Sequence, residues 1–172
     1  YWGSVYVGYA MAFAENIDKI RDNLKEIKPT VLVAVPRIFE KIYNGVISQS
    51  EISATKKTIF RWAFKIGAEV SQLKRKNQTI PITLFAQYMV AQKLVFSKLQ
   101  NGLGGRIKFA ISGGAPLSAQ IAEFFHAAGI LVLEGYGLTE TTAAITLNRP
   151  HDYDFGTVGK PLADVKIKIA DD

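Results

Sequence analysis

Two short polar stretches hold the residue types that could do chemistry: Ser112-Gly113-Gly114-Ala115-Pro116 and Glu134-Gly135-Tyr136-Gly137-Leu138-Thr139-Glu140. In the first, Gly113 and Gly114 let the backbone approach a flat ligand and offer it main-chain N–H and C=O groups. In the second, Tyr136 stands between two glycines, so no bulky neighbour blocks stacking on its ring. Thr139 and Glu140 add a hydroxyl and a carboxylate, hard oxygen donors suited to phosphate and Mg²⁺. Either stretch alone reads equally well as a plain turn. Both leave the carboxyl ends of consecutive predicted strands, the edge where open parallel sheets bind ligands, and together they favour a nucleotide site.

Other motifs fail on inspection. Gly156-Thr157-Val158-Gly159-Lys160-Pro161 contains a Gly-Lys pair, but Asp154 stands where a P-loop needs its first glycine and Pro161 where it needs Ser or Thr. Ser112 is no nucleophile elbow, because Ala110 replaces the first glycine. His126 in a helix and His151 in a loop lack the carboxylate spacing of a metal site or triad, and read as structural or solvated.

The elements that must position the two stretches follow from hydrophobic spacing. Residues 18–28 read as a short helix stopped by Pro29, and Val31 to Val35 as a strand buried on both faces. Pro36 sits where a helix takes its first residue. Ile52, Thr55, Ile59, Trp62, Ile66, Val70 and Leu73 form a helical stripe, as do Leu84, Tyr88, Ala91, Val95 and Leu99. Residues 106–111 form a strand, 112–116 a glycine turn, 119–128 a helix with Ser118 as N-cap, and 130–133 a strand. Beyond Asn148 comes a ribbon, then an alternating strand over 165–169. Strand, helix, strand with short connections predicts an α/β fold, a mostly parallel sheet with helices on its faces. The chain divides into a helix–strand–helix stretch (1–50), a basic helical segment (51–101), the βαβ unit of the candidate site (102–148) and a ribbon (149–172).

Composition bounds the rest. The chain has 172 residues, 48% hydrophobic and 21% charged, enough apolar matter for a packed core rather than disorder. No cysteine is present, which excludes disulfides and thiolate metal sites and suits a reducing cytosol. Residues 1–14 are uncharged yet shorter than the ~20 apolar residues of a membrane span, so a buried core helix is expected there and no targeting peptide is read. The net charge of +6 resides between Lys56 and Lys76, where seven cations face one carboxylate, Glu69. Such a face is either solvated or meets an anionic membrane surface. Nucleic acid is not expected, since stacking aromatics and base-reading side chains are missing.

Residues 136–141, Tyr-Gly-Leu-Thr-Glu-Thr, preceded by Ser112-Gly113-Gly114-Ala115-Pro116-Leu117, closely resemble the adenylate-forming superfamily of acyl-CoA synthetases, luciferases and adenylation domains. Lys28-Pro29-Thr30-Val31, Val35-Pro36-Arg37-Ile38-Phe39-Glu40-Lys41-Ile42-Tyr43 and Lys93-Leu94-Val95-Phe96-Ser97-Lys98 resemble its long-chain fatty acyl-CoA synthetase branch. The resemblance implies part of the large N-terminal AMP-binding domain of an enzyme that turns a long-chain fatty acid and ATP into acyl-AMP, then transfers the acyl group to CoA. A fatty acyl-AMP ligase is the nearest alternative, and a non-catalytic nucleotide-binding or membrane-docking domain the next. The resemblance implies that Gly114, Ala115 and Pro116 line adenine and Tyr136 stacks on it; Gly137, flanking that ring, is counted with the nucleotide-binding residues. The resemblance also implies that Thr139 contacts the α-phosphate, Glu140 helps hold Mg²⁺, and Glu134 and Gly135 lie between ATP/AMP and the acyl tunnel. Trp2 to Phe13 would pack near that tunnel. The family's phosphate loop, its ribose-binding Asp and its mobile Lys fall outside the chain, so residues 1–172 alone are expected to be inactive. A cytoplasmic location, peripheral on the inner face of a membrane, is expected.

Overall fold

The computed structural model describes residues 2–170, and side chains from Val5 onward. The elements are α1 (Trp2–Val7), α2 (Ile20–Ile27), β1 (Val31–Ala34), α3 (Pro36–Ser50), α4 (Ala54–Arg75), α5 (Ile82–Ala91), a π-helical turn (Gln92–Phe96), α6 (Ser97–Gly102), β2 (Phe109–Ser112), α7 (Ala119–Ala127), β3 (Leu131–Leu138), β4 (Ala143–Leu147) and β5 (Lys160–Pro161). The five strands form one open sheet in chain order. β1, β2 and β3 are mutually parallel, whereas β3–β4 and β4–β5 are antiparallel. The α/β architecture stands, with a sheet that changes sense at β3.

Local chemistry sets the boundaries. Lys28 takes a left-handed conformation at φ 50° and its amide donates to the Leu24 carbonyl, closing α2 just before Pro29. Pro36 opens α3, and the Ser53 hydroxyl accepts from the Lys56 amide to cap α4. Gly129 leaves α7 at φ 79°. Ser118 holds the N-cap position of α7, but its side chain makes no cap bond; its carbonyl accepts from Ile121 and Ala122 instead.

Register puts Leu32, Ala110 and Val132 side by side on one face of the parallel strands. Phe39, Leu117 and Phe125 belong to the same buried cluster, so α3 and α7 cover that face. Phe39 and Phe125 meet edge to face at 5.7 Å, and Phe64 of α4 stacks on Phe124 at 4.4 Å. Each fully buried ring contributes about 1.5–3 kcal/mol.

Four local expectations need correction. Residues 5–14 are exposed, and α1 is too short to bury a face, so the expected core helix is absent among the described residues; Tyr1 and the side chains of Trp2 and Ser4 lie outside them. β1 is an edge strand with Val31 and Val33 exposed, not a strand buried on both faces. Residues 165–170 form no strand, because no strand among the described residues pairs with their alternating pattern. The second α-helical stripe is interrupted by the π turn, whose extra residue brings Phe96, absent from that stripe, into complete burial against Gly67.

Candidate functional site

Ser112 is in register with Glu134, so the turn leaving β2 lies beside the middle of β3. The peptide of Gly113 comes close enough that a Cβ there would sit 3.6 Å from the Gly135 carbonyl oxygen. Gly114 turns the chain at φ 85°, a conformation side-chain-bearing residues seldom adopt. Between this turn and β3 opens a cleft of about 520 Å³. Ile111 to Gly114 form one wall and Gly135 to Thr139 the other, and Leu147 of β4 lines the cleft as well. Tyr136 stays 43% exposed there, leaving its ring available to a ligand.

The stretch from Glu134 onward was expected to be a loop, and it is strand as far as Leu138. Gly135 and Gly137 explain the difference. A Cβ on Gly135 would lie 2.9 Å from Leu147 Cδ1, and one on Gly137 would run into the backbone of Ala143 and Ala144. These glycines admit β4 as much as they free the Tyr136 ring. Pairing shifts between Tyr136 and Gly137, a bulge that re-aims the strand's end. At the tip, the Leu138 amide donates to Thr141 Oγ1 at 2.9 Å and the Thr142 amide to the Thr139 carbonyl at 3.1 Å. Thr142 and Ala143 have φ of 59° and 107°, strained backbone beside the cleft costing about 1–3 kcal/mol each.

The structure brings Gly114, Gly135, Tyr136, Gly137 and Thr139 together around the cleft. Ala115 and Pro116 are exposed beyond its wall, and Glu140 is exposed in the hairpin turn. Glu134 goes elsewhere. It is buried and outside the cleft, against Leu117, Asn148 and Phe155. Burial raises its pKa above the ordinary carboxylate value, partly offset by a backbone hydrogen bond from Leu117. Its carbonyl accepts from the Asn148 amide at 3.0 Å, tying β3 to the ribbon. Thr142, Ala143 and Leu147 also line the cleft, and the motif reading missed them because β4 had not been recognised. Among the described residues no three His, Cys, Asp or Glu side chains gather as a metal cluster.

His126 is structural, as its spacing implies. Its Nδ1 lies 2.6 Å from Ser71 Oγ and its Nε2 3.0 Å from the Tyr153 hydroxyl, joining α4, α7 and the ribbon. Arg75 reinforces the joint, bonding Asp154 at 2.7 Å and Glu123 at 3.4 Å over the Phe155 ring. Burial first, then the Lys74 and Arg75 charges, push the His126 pKa down to about 4. An unfolded imidazole titrates near ~6.5, so between those values the unfolded chain binds more protons. This contribution is complete above pH ~6.5 and is lost as pH falls towards 4. After allowance for partial exposure it is about 1–2 kcal/mol. Denaturant midpoints over this range should fall less steeply for His126→Gln than for the parent; parallel curves would refute the assignment.

The model of the AMP-binding enzyme family matches residues 1–172. The chain belongs to the AMP-binding enzyme family. A long-chain-fatty-acid–CoA ligase, FadD15, of Mycobacterium tuberculosis is 38% identical over 162 residues, 94% of this chain and 27% of the relative. Human long-chain-fatty-acid–CoA ligase 1 is 33% identical over 160 residues, 92% of this chain and 22% of the relative. This AMP-binding chain therefore spans about a quarter of the length of such relatives. A solved anthranilate CoA ligase in complex with anthranoyl-AMP superposes with a TM-score of 0.51 at 17% identity, covering 94% of this chain and 22% of that one, a likeness of fold.

Proposed function

We propose that the cleft is the adenine-facing wall of an enzyme that activates a long-chain fatty acid with ATP and passes the acyl group to CoA. One observation carries the reading: the Gly113-Gly114 turn and the Tyr136–Thr139 segment converge on one cleft at the carboxyl edge of the parallel strands. The identities of 38% and 33% to the long-chain ligases support the substrate class.

In this reading the backbone of Gly114, Ala115 and Pro116 borders adenine and the Tyr136 ring stacks on it. Thr139 donates its hydroxyl towards the α-phosphate. Attack by the fatty carboxylate on the α-phosphorus gives acyl-AMP and releases pyrophosphate, and the CoA thiol then displaces AMP. The chain's part is positioning: two rigid walls hold the purine while charge develops at phosphorus. Glu140 is exposed beside Thr139 and fits Mg²⁺, which is held by one or two carboxylates plus substrate phosphates. When bound, the metal neutralises phosphate charge. Glu134 acts as a positioning residue, fixing Gly135 through its buried carboxylate and its carbonyl bond to Asn148. Residues 1–172 alone are proposed not to adenylate, since only this wall lies within them.

The test is fatty-acid-dependent ATP–pyrophosphate exchange by the complete protein. Base–aromatic stacking is worth about 1–3 kcal/mol, so Tyr136→Ala should raise KM for ATP roughly tenfold and leave KM for the fatty acid near its parent value. Exchange without a fatty-acid requirement, or an unchanged KM for ATP, would defeat the reading.

A further inference from the structure

Among the described residues no element covers the outer face of α5, which has the make-up of an interfacial surface. Ile82, Phe85 and Met89 fall at spacings of three and four, so they share one side of the helix. Ile82 is 84% exposed, and Phe85, Met89, Val90 and Leu94 are each close to half exposed. The opposite side is committed: Ala91 is fully buried, and Tyr88 packs with it against Ala63 of α4.

Charge borders this apolar face with a single sign. From Val70 to Ala122 the sequence holds seven Lys and Arg and no Asp or Glu. Arg75 is engaged by Glu123 and Asp154, and Lys74 lies over the Tyr88 ring at 5.5 Å. Lys76 just before α5, Lys93 four residues beyond Met89, and Lys98 are exposed. None of these three appears in an ion pair among the described residues. The other exposed apolar stretch, residues 5–14, has no such border; the first charge after it is Glu15. The cations of α4 alone do not make an insertion surface, because Arg61 and Lys65 project from a polar face.

We propose that α5, with Lys76, Lys93 and Lys98, docks in the plane of an anionic lipid surface. Ile82, Phe85, Met89, Val90 and Leu94 enter the acyl boundary while the lysine stems lie along it and their ammonium groups meet headgroup phosphates. No helix among the described residues is long and apolar enough to cross a membrane, so contact is peripheral. The inference rests on this surface alone and stands whatever the cleft binds.

Co-sedimentation of the complete protein with phosphatidylcholine vesicles, with and without phosphatidylglycerol, tests it. Binding should require phosphatidylglycerol and weaken with added salt. Neutralising Lys93 and Lys98 together as K93Q/K98Q should weaken binding roughly thirtyfold, at ~1 kcal/mol per lysine, without changing thermal stability. F85E/M89E should abolish binding and leave a folded protein. Equal affinity for both vesicles, or unaltered binding of K93Q/K98Q, would overturn the proposal. So would F85E/M89E losing thermal stability while its vesicle affinity persists, because the face would then be covered by another part of the same polypeptide.

Discussion

Gly137→Ala is expected to destabilise the protein by about 3 kcal/mol or more, the largest stability effect of any single methyl group in the candidate site. The added Cβ has nowhere to go. It would meet the Ala143 carbonyl and lie 2.6 Å from Ala144 Cα, and all of the nearest atoms are backbone. Relief requires β4 to separate from β3 where pairing is already offset and where Thr142 and Ala143 are strained. Gly45→Ala is the control: it lies within α3 with nothing within 4 Å of an added Cβ. That change should stabilise the protein by about 0.5–1 kcal/mol, the ordinary gain of alanine over glycine in a helix. Equilibrium denaturation of both variants reads the difference directly. A Gly137→Ala midpoint equal to the parent's would mean that β4 does not press on β3 as described.

Glu140→Gln should lower kcat of the complete protein roughly a hundredfold while leaving its melting temperature within a degree or two. Fold and chemistry separate at this residue because its side chain is exposed in the hairpin turn. Exposed turn positions typically change stability by less than ~0.5 kcal/mol. If Glu140 holds Mg²⁺ against the phosphates, the variant should also need a higher Mg²⁺ concentration for half-maximal exchange. A fall in kcat with the Mg²⁺ dependence unmoved would assign Glu140 another task. Unchanged kcat would remove it from the site.

Elements with strong periodicity or a terminal signal were legible. The stripe through Ile66 and Val70 locates α4, Pro36 locates α3, and the sequence from Arg106 to Leu133 reads as the βαβ unit that the structure contains. The cleft's two walls were readable because each is a glycine-bearing stretch following a short apolar run, although the second is itself the end of β3. What escaped depends on packing between distant segments. Glycine is the residue of turns, but at Gly135 and Gly137 it permits close approach of β4, so strand was read as loop. Phe96 is off the helical stripe, and only the π turn brings it inward. Glu134 sits among ligand-binding residue types, yet it packs with Leu117 and Asn148 and does not line the cleft. The apolar residues from Val5 to Phe13 predict burial, but they stay exposed.

The change of sense at β3 also affects how the cleft comes into being. β4 reaches β3 across a hairpin of a few residues, whereas β1 and β2 meet only after α3, α4, α5 and α6 have been drawn in between. Closing a short loop costs little entropy and takes microseconds, while pairing across a long intervening chain is slow. The hairpin wall bearing Tyr136 and Thr139 is thus a product of local folding, whereas the wall bearing Gly113 and Gly114 follows β2, which pairs with β3 across α7 and with β1 across four helices. A folding chain can hold one side of the cleft before it holds both.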